Sequence, residues 1–261
     1  MEATICSGSQ QRMEMTQLGS ASSRTEGQLS QQGLVAERLP FRVRIVCSDE
    51  DLEKAVSIRH SAYGRHLPAV AALLEQAEAC DSEPGSAVLL AESKMDGSPL
   101  GSMRIQTNRY RKLALEDSME LPPWLDGKRQ AEATRLGVIG SAMGRLVKTA
   151  LFKAFYQHCL LEEVEWMVIT ARAPLDRGYE ALLFQDVIPG AGFIPMHHVG
   201  NIPHRVLAIN VEHAEFIWRQ ARHPLYDFMV LAHHPDIDPR GAVDRSLADR
   251  PRRSLAGARI N

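Results

Sequence analysis

The sequence is short of cysteine, of aromatics and of any excess of charge. Four cysteines occur in 261 residues, Cys6, Cys47, Cys80 and Cys159, and no two form a CxxC pair. Nothing in that spacing calls for a disulfide framework, and a reduced, cytoplasmic setting is the expectation. Cys47 and Cys159 read as core residues. The formal net charge is -2, so no basic field argues for a nucleic-acid partner. No apolar run approaches the roughly 20 residues that a membrane-spanning helix needs. The start, MEATICSGSQQRMEM, lacks the basic region and apolar core of a secretory signal.

What is present is an ordinary globular composition, 44% hydrophobic and 24% charged. It is not evenly spread. Residues 1–40 are rich in Ser and Gln and show no sustained period, so a mostly disordered leader is predicted. Residues 239–261 hold a basic run, RGAVDRSLADRPRRSLAGARIN, which predicts a solvated, flexible tail. Between them, residues 41–238 predict one folded domain.

Within that domain, FRVRIVCS alternates apolar and polar residues as a strand does. Ser48 then opens an S-x-x-D capping signal before a helix, DLEKAVSIRHSAYGRH. PAVAALLEQAEAC reads as a second helix behind Pro68. SAVLLAESK and LGSMRIQTN flank Asp96-Gly97, a strong hairpin signal. AEATRLGVI is a further strand, and SAMGRLVKTALFKAFYQHCL a helix. VEWMVITAR reads as a central strand from its continuous apolar run. PLDRGYEALLFQDV reads as a helix opened by proline, HRVLAINV as a strand and EHAEFIWRQAR as a last helix. The order predicts an α/β (α+β) domain, one mixed central sheet with helices on both faces.

A charged pair interrupts this pattern. Glu132 sits three residues before Arg135 in a strand that otherwise reads as buried, where unpartnered charge costs several kcal/mol. On a regular strand, residues three apart point to opposite faces. Glu132 and Thr134 are therefore predicted on one face and Arg135 on the other. Other charged positions fall in order around it: Arg59-His-Ser-Ala-Tyr63 in the first helix, Asp81 after the second, Gly101-Ser-Met-Arg104 at the hairpin, and Glu132-Ala-Thr-Arg135-Leu-Gly-Val138.

That series resembles the acyltransferase superfamily of the GCN5-related N-acetyltransferases (GNAT). It is most similar to two branches that take fatty acyl groups from acyl carrier protein: the autoinducer (acyl-homoserine-lactone) synthases and the FeeM-type N-acyl amino acid synthases. The resemblance covers most of residues 41–210. The autoinducer branch carries a tryptophan soon after the first-helix motif, and none stands between Tyr63 and Trp124 here. That departure favours the amino acid branch.

The resemblance implies attack of an amine on an acyl thioester, with Glu132 as base and Arg104 as the second catalytic candidate. Arg104 and Arg59 could receive the acceptor's carboxylate, although Arg59 and Asp81 could equally pair with each other. Tyr63, Asp81, Arg135, Trp166 and Val168 are the further substrate-binding candidates. Gly140 and Gly144 partly match the family's pyrophosphate loop but lack its first arginine. With Arg145 and Lys148 they are the candidates for a phosphopantetheine phosphate and an acidic carrier surface. The implied donor is an acyl-phosphopantetheine thioester on acyl carrier protein or coenzyme A, with no tightly bound cofactor. The implied acceptor is a small amino acid. An autoinducer synthase using S-adenosylmethionine, an acetyl-coenzyme A transferase and an inactive acyl-binding module are the alternatives. The pairs His197-His198 and His233-His234 have no third ligand close in sequence, so no metal site is expected.

Overall fold

Ser48 accepts a hydrogen bond from the Asp51 N–H (3.2 Å), and Asp49, Glu50 and Asp51 fill the first turn behind it. Cap and macrodipole together start α1, Asp49–Gly64. Strand β1, Phe41–Ile45, precedes it, and its Arg44 reaches Asp51 through Nη2 at 2.6 Å. The computed structural model describes residues 36–240. The Ser- and Gln-rich leader and the arginine-rich end lie outside the described residues, apart from a few positions that flank the domain.

The further strands are β2 Ser86–Ser93, β3 Pro99–Thr107, β4 Gln130–Val138, β5 Trp166–Ala171, β6 Gln185–Asp186, β7 Ile194–Met196, β8 Ile202–Asn210 and β9 Ile237–Asp238. They form one mixed sheet in the order β6-β8-β5-β4-β3-β2-β1-β9, with β7 paired to β8 outside that path. Neighbours run antiparallel except β4 with β5 and β1 with β9, which are parallel. The Asp96-Gly97 turn joins β2 to β3, with Gly97 at φ 69°.

One face packs α3, Ala142–Leu161, and α5, Val211–Gln220, over Met103, Ile105, Ala131 and Met167. Gly101 lets α3 lie close. A Cβ there would stand 2.7 Å from Val147. The other face carries α1 over Val88 and Leu90, and beside it the loop 113–125 over Val168, Val206 and Ala208.

Three predictions are corrected. The second helix shrinks to α2, Pro68–Ala71, followed by short 3-10 turns. Glu78 takes up extended backbone before the 3-10 turn Ala79–Asp81 and meets buried arginines, and that ion pairing overrides helix propensity. The helix predicted from Pro174 is α4, Asp176–Glu180, because Gln185 and Asp186 are drawn into the sheet beside β8. Cys47 is exposed, not core, while Cys159 is buried. The sequence pattern also gave no sign of β6, β7 and β9, each two or three residues long.

Candidate active site

Strands β4 and β5 pair in parallel from Gln130↔Trp166 to Ala133↔Ile169 and no further. Both then continue, β4 along β3 to Val138 and β5 along β8 to Ala171. The sheet is thus split at its centre. Its register against β3 also slips there, from Arg104↔Thr134 to Ser102↔Gly137. This is a β-bulge: Arg135 and Leu136 share the place of one residue, and Arg135 adopts φ 54°. A positive φ is costly for a side chain of this kind, so the surrounding contacts must hold it.

The bulge overturns one expectation. It brings Arg135 to the same face as Thr134. Arg104 Nε donates to Thr134 Oγ1 (3.1 Å) and Arg104 Nη1 to Glu78 (3.0 Å). Arg135 donates to the same Glu78 from Nε (2.7 Å) and Nη2 (2.6 Å), and from Nη2 to the His198 carbonyl (3.1 Å). Arg59 Nη1 reaches both oxygens of Asp81, at 3.1 and 3.0 Å. Three guanidiniums thus converge on two carboxylates. Burial opposes ionisation of Glu78, but the hydrogen bonds and charge of Arg135, with Arg104 and Arg59, outweigh it and hold its pKa at about 2. Arg59 Nε and Nη2 and Arg135 Nη1 make no hydrogen bond among the described residues.

Glu132 lies on this face and is 0% exposed. Its Oε2 accepts from the Leu115 N–H (3.2 Å), and its Oε1 has no hydrogen-bond partner among the described residues. Burial pushes its pKa from 4.5 up to about 7, although the Leu115 N–H and the charges of Arg104 and Arg135 pull the other way. Glu132 and Arg135 form no ion pair; Arg135 is taken by Glu78.

A cavity of about 250 Å³ occupies the split and is lined by residues from both faces of the sheet. On the α3 side, Lys148, Leu175 and Tyr179 line it. On the α1 side, Tyr63, Thr134, Arg135, His198 and His204 do. Burial lowers the Lys148 pKa and raises those of Tyr63 and Tyr179. His198 is pushed down to about 4 by burial, helped by Arg135, so its ring is neutral at pH 7. Arg65, at the end of α1, also lines the cavity and donates to the Val138 carbonyl at 2.5 Å.

Of the residues picked from sequence, Tyr63, Arg135 and Lys148 line the cavity. Glu132 and Arg104 sit next to its wall without lining it. Arg59 and Asp81 are occupied with each other. Trp166 packs edge-on against Trp124, ring centroids 4.9 Å apart, and Val168 joins the core under the 113–125 loop. Arg145 is exposed on α3. Gly140 lies under Arg65, whose Nε would be 3.4 Å from a Cβ there. Gly144 answers to its own chain: a Cβ would fall 2.1 Å from the Ile139 carbonyl oxygen. Sequence reasoning missed Glu78, His198 and His204.

No protein-family model matches the chain, and no curated protein matches it. Among solved structures, FeeM, an N-acyl amino acid synthase from uncultured soil microbes, superposes with a TM-score of 0.57 at 16% identity, over 72% of this chain and 97% of that one. The chain has the GNAT-type fold. A CoA-dependent acyl-homoserine lactone synthase, BjaI, gives a TM-score of 0.48 at 15% identity, over 80% of this chain and 99% of that one. An acyl-CoA N-acyltransferase from Pseudomonas aeruginosa gives 0.44 at 15% identity, over 64% and 97%. At 16% identity the FeeM superposition is a likeness of fold. No described helix is long and apolar enough to cross a membrane, and the described residues hold no cluster of His, Cys, Asp and Glu suited to a metal ion.

Proposed function

We propose that the protein is an N-acyltransferase that moves a fatty acyl group from acyl carrier protein to the α-amine of an amino acid. The observation that carries this reading is the split sheet with the buried Glu132 next to it, its pKa pushed up to about 7 by burial. The split gives an extended thioester arm a passage between two strands. Beyond Ala133 the ladder between β4 and β5 ends, and the β4 amides at the bulge are the candidate donors to the oxyanion of a tetrahedral intermediate.

The two sides of the cavity differ in chemistry. Lys148 on the α3 side, with Arg65, suits the phosphate of a phosphopantetheine arm. Arg135 Nη1 on the α1 side suits the acceptor's carboxylate. This moves the carboxylate contact from Arg59 and Arg104, which the inner ion pairs occupy, to Arg135.

The chemistry follows from the charges. An amino acid arrives as an ammonium, and acylation breaks two N–H bonds. One proton ends on the departing sulfur and the other in solvent. Glu132 takes a proton from the nitrogen through a water, and a pKa of about 7 matches that task at neutral pH. Reaction of the amine nitrogen with the thioester carbonyl then forms the amide and expels the thiol.

The test is thiol release from acyl carrier protein and coenzyme A thioesters, with a panel of amino acids, homoserine lactone precursors and simple amines as acceptors. Mass spectrometry identifies the product. Wild type is expected to give an N-acyl amino acid, and Glu132→Gln to lose most of its kcat while remaining folded. Acyl transfer at the wild-type rate by Glu132→Gln would remove Glu132 from the mechanism. The absence of transfer to any amino acid would end this reading.

A further inference from the structure

Glu132 does not line the cavity, so a group in direct contact with the incoming nitrogen has to be sought among those that do. His204 is 8% exposed and projects from β8 on the α1 side of the split. Its Nδ1 stands 2.7 Å from the Ile202 carbonyl oxygen. A carbonyl only accepts, so Nδ1 carries the proton, and Nε2 of the neutral ring holds a lone pair. Among the described residues, no group hydrogen-bonds that Nε2. The tautomer of a general base is therefore fixed by the backbone of the strand that carries it.

The groups facing His204 keep it neutral and ready to accept. Arg172, at the end of β5, and His198, from the turn before β8, are its titratable neighbours. Burial, with the Arg172 charge, lowers the His204 pKa, and the Ile202 carbonyl opposes that. Glu132 lies on the same face but further along: Glu132 pairs with Val168 and Val168 with Ala208, four residues beyond His204 on β8.

We propose that His204 is a second catalytic base, whose Nε2 takes the first proton from the acceptor's ammonium in the cavity, and that Glu132 takes the second, from the tetrahedral adduct beside β4. This rests on the amine-acylation reading above and divides its two deprotonations. The first step breaks an N–H bond of the ammonium and forms N–H on His204, which becomes an imidazolium. That proton then passes to solvent. The second proton, held on Glu132, is the one available for the departing sulfur.

The experiment compares wild type with His204→Asn across pH. The asparagine amide keeps a donor for the Ile202 carbonyl and removes the Nε2 base. At neutral pH, kcat/KM for the amino acid is expected to fall by about 100-fold or more. It should then recover as pH rises, in step with the fraction of acceptor already present as free amine, while the wild-type profile rises only about twofold above pH 7 as Glu132 finishes ionising. A variant as active as wild type overturns the proposal and leaves the acylation reading standing. A loss that keeps the wild-type profile at every pH shows a structural role and also overturns it. Wild type that releases no thiol with any amino acid ends both readings together.

Discussion

Replacing Glu132 by glutamine separates a working carboxylate from a structural one, because the two change stability in opposite directions. The folded protein holds Glu132 at a pKa of about 7, raised from 4.5 by burial. The sign follows from linkage. A raised carboxyl pKa means that the native state binds the proton more tightly than the unfolded chain does. The group contributes fully below the unfolded value of 4.5. Its contribution is lost as pH rises towards 7, where the buried form must ionise. A shift of that size corresponds to about 3 kcal/mol between those limits, at 1.36 kcal/mol per pH unit. Glutamine cannot ionise and keeps an oxygen for the Leu115 N–H. Urea unfolding followed by circular dichroism should show variant and wild type nearly equal at about pH 4. At about pH 8 the variant should be the more stable, by about 2–3 kcal/mol, a large part of the 5–15 typical of a domain. It would then be stable and inactive at once. A glutamine variant less stable than wild type at pH 8 would refute this reasoning and assign Glu132 to structure.

Asp81→Ala should destabilise the fold by about 3 kcal/mol in the same urea assay, because it leaves the fully buried Arg59 guanidinium with only Glu78, 3.6 Å away, as a counter-charge; a loss under 1 kcal/mol would show that the pair is dispensable. Glu78 has the opposite sign to Glu132: its pKa is depressed from 4.5 to about 2, so its stabilisation is present above 4.5 and disappears as pH falls towards 2. Glu78→Gln should flatten acid unfolding across that window and lower stability at neutral pH. Gly144→Ala should cost about 1–3 kcal/mol, read as a lower Tm, since its Cβ falls on the Ile139 carbonyl.

Local signals carried much of this fold. Ser48 marked the start of α1, Asp96-Gly97 the hairpin, and the apolar run from Trp166 the central strand. Each depends on neighbours in sequence. The misses depend on distant ones. Residues 72–80 have helical composition, yet Glu78 is pulled out by arginines on α1, β3 and β4. A two-residue strand such as β9 is defined by its partner β1 and not by its own pattern. The faces of β4 were read by strict alternation, which fails at a single extra residue, and that residue is the bulge at Arg135. His204 stood on the cavity side in the alternation His204, Val206, Ala208, but only the position of the split gives that side a meaning.

The central claim is that the split between β4 and β5 lodges a thioester beside Glu132 and His204. A crystal structure with an acyl-pantetheine amide, a non-reacting analogue of the donor, tests it most directly. The account predicts the analogue threaded between the two strands, with its carbonyl oxygen on the β4 amides at the bulge, its phosphate end near Lys148 and the acceptor space facing His204. An analogue seated elsewhere, with the split filled by protein side chains, would contradict it.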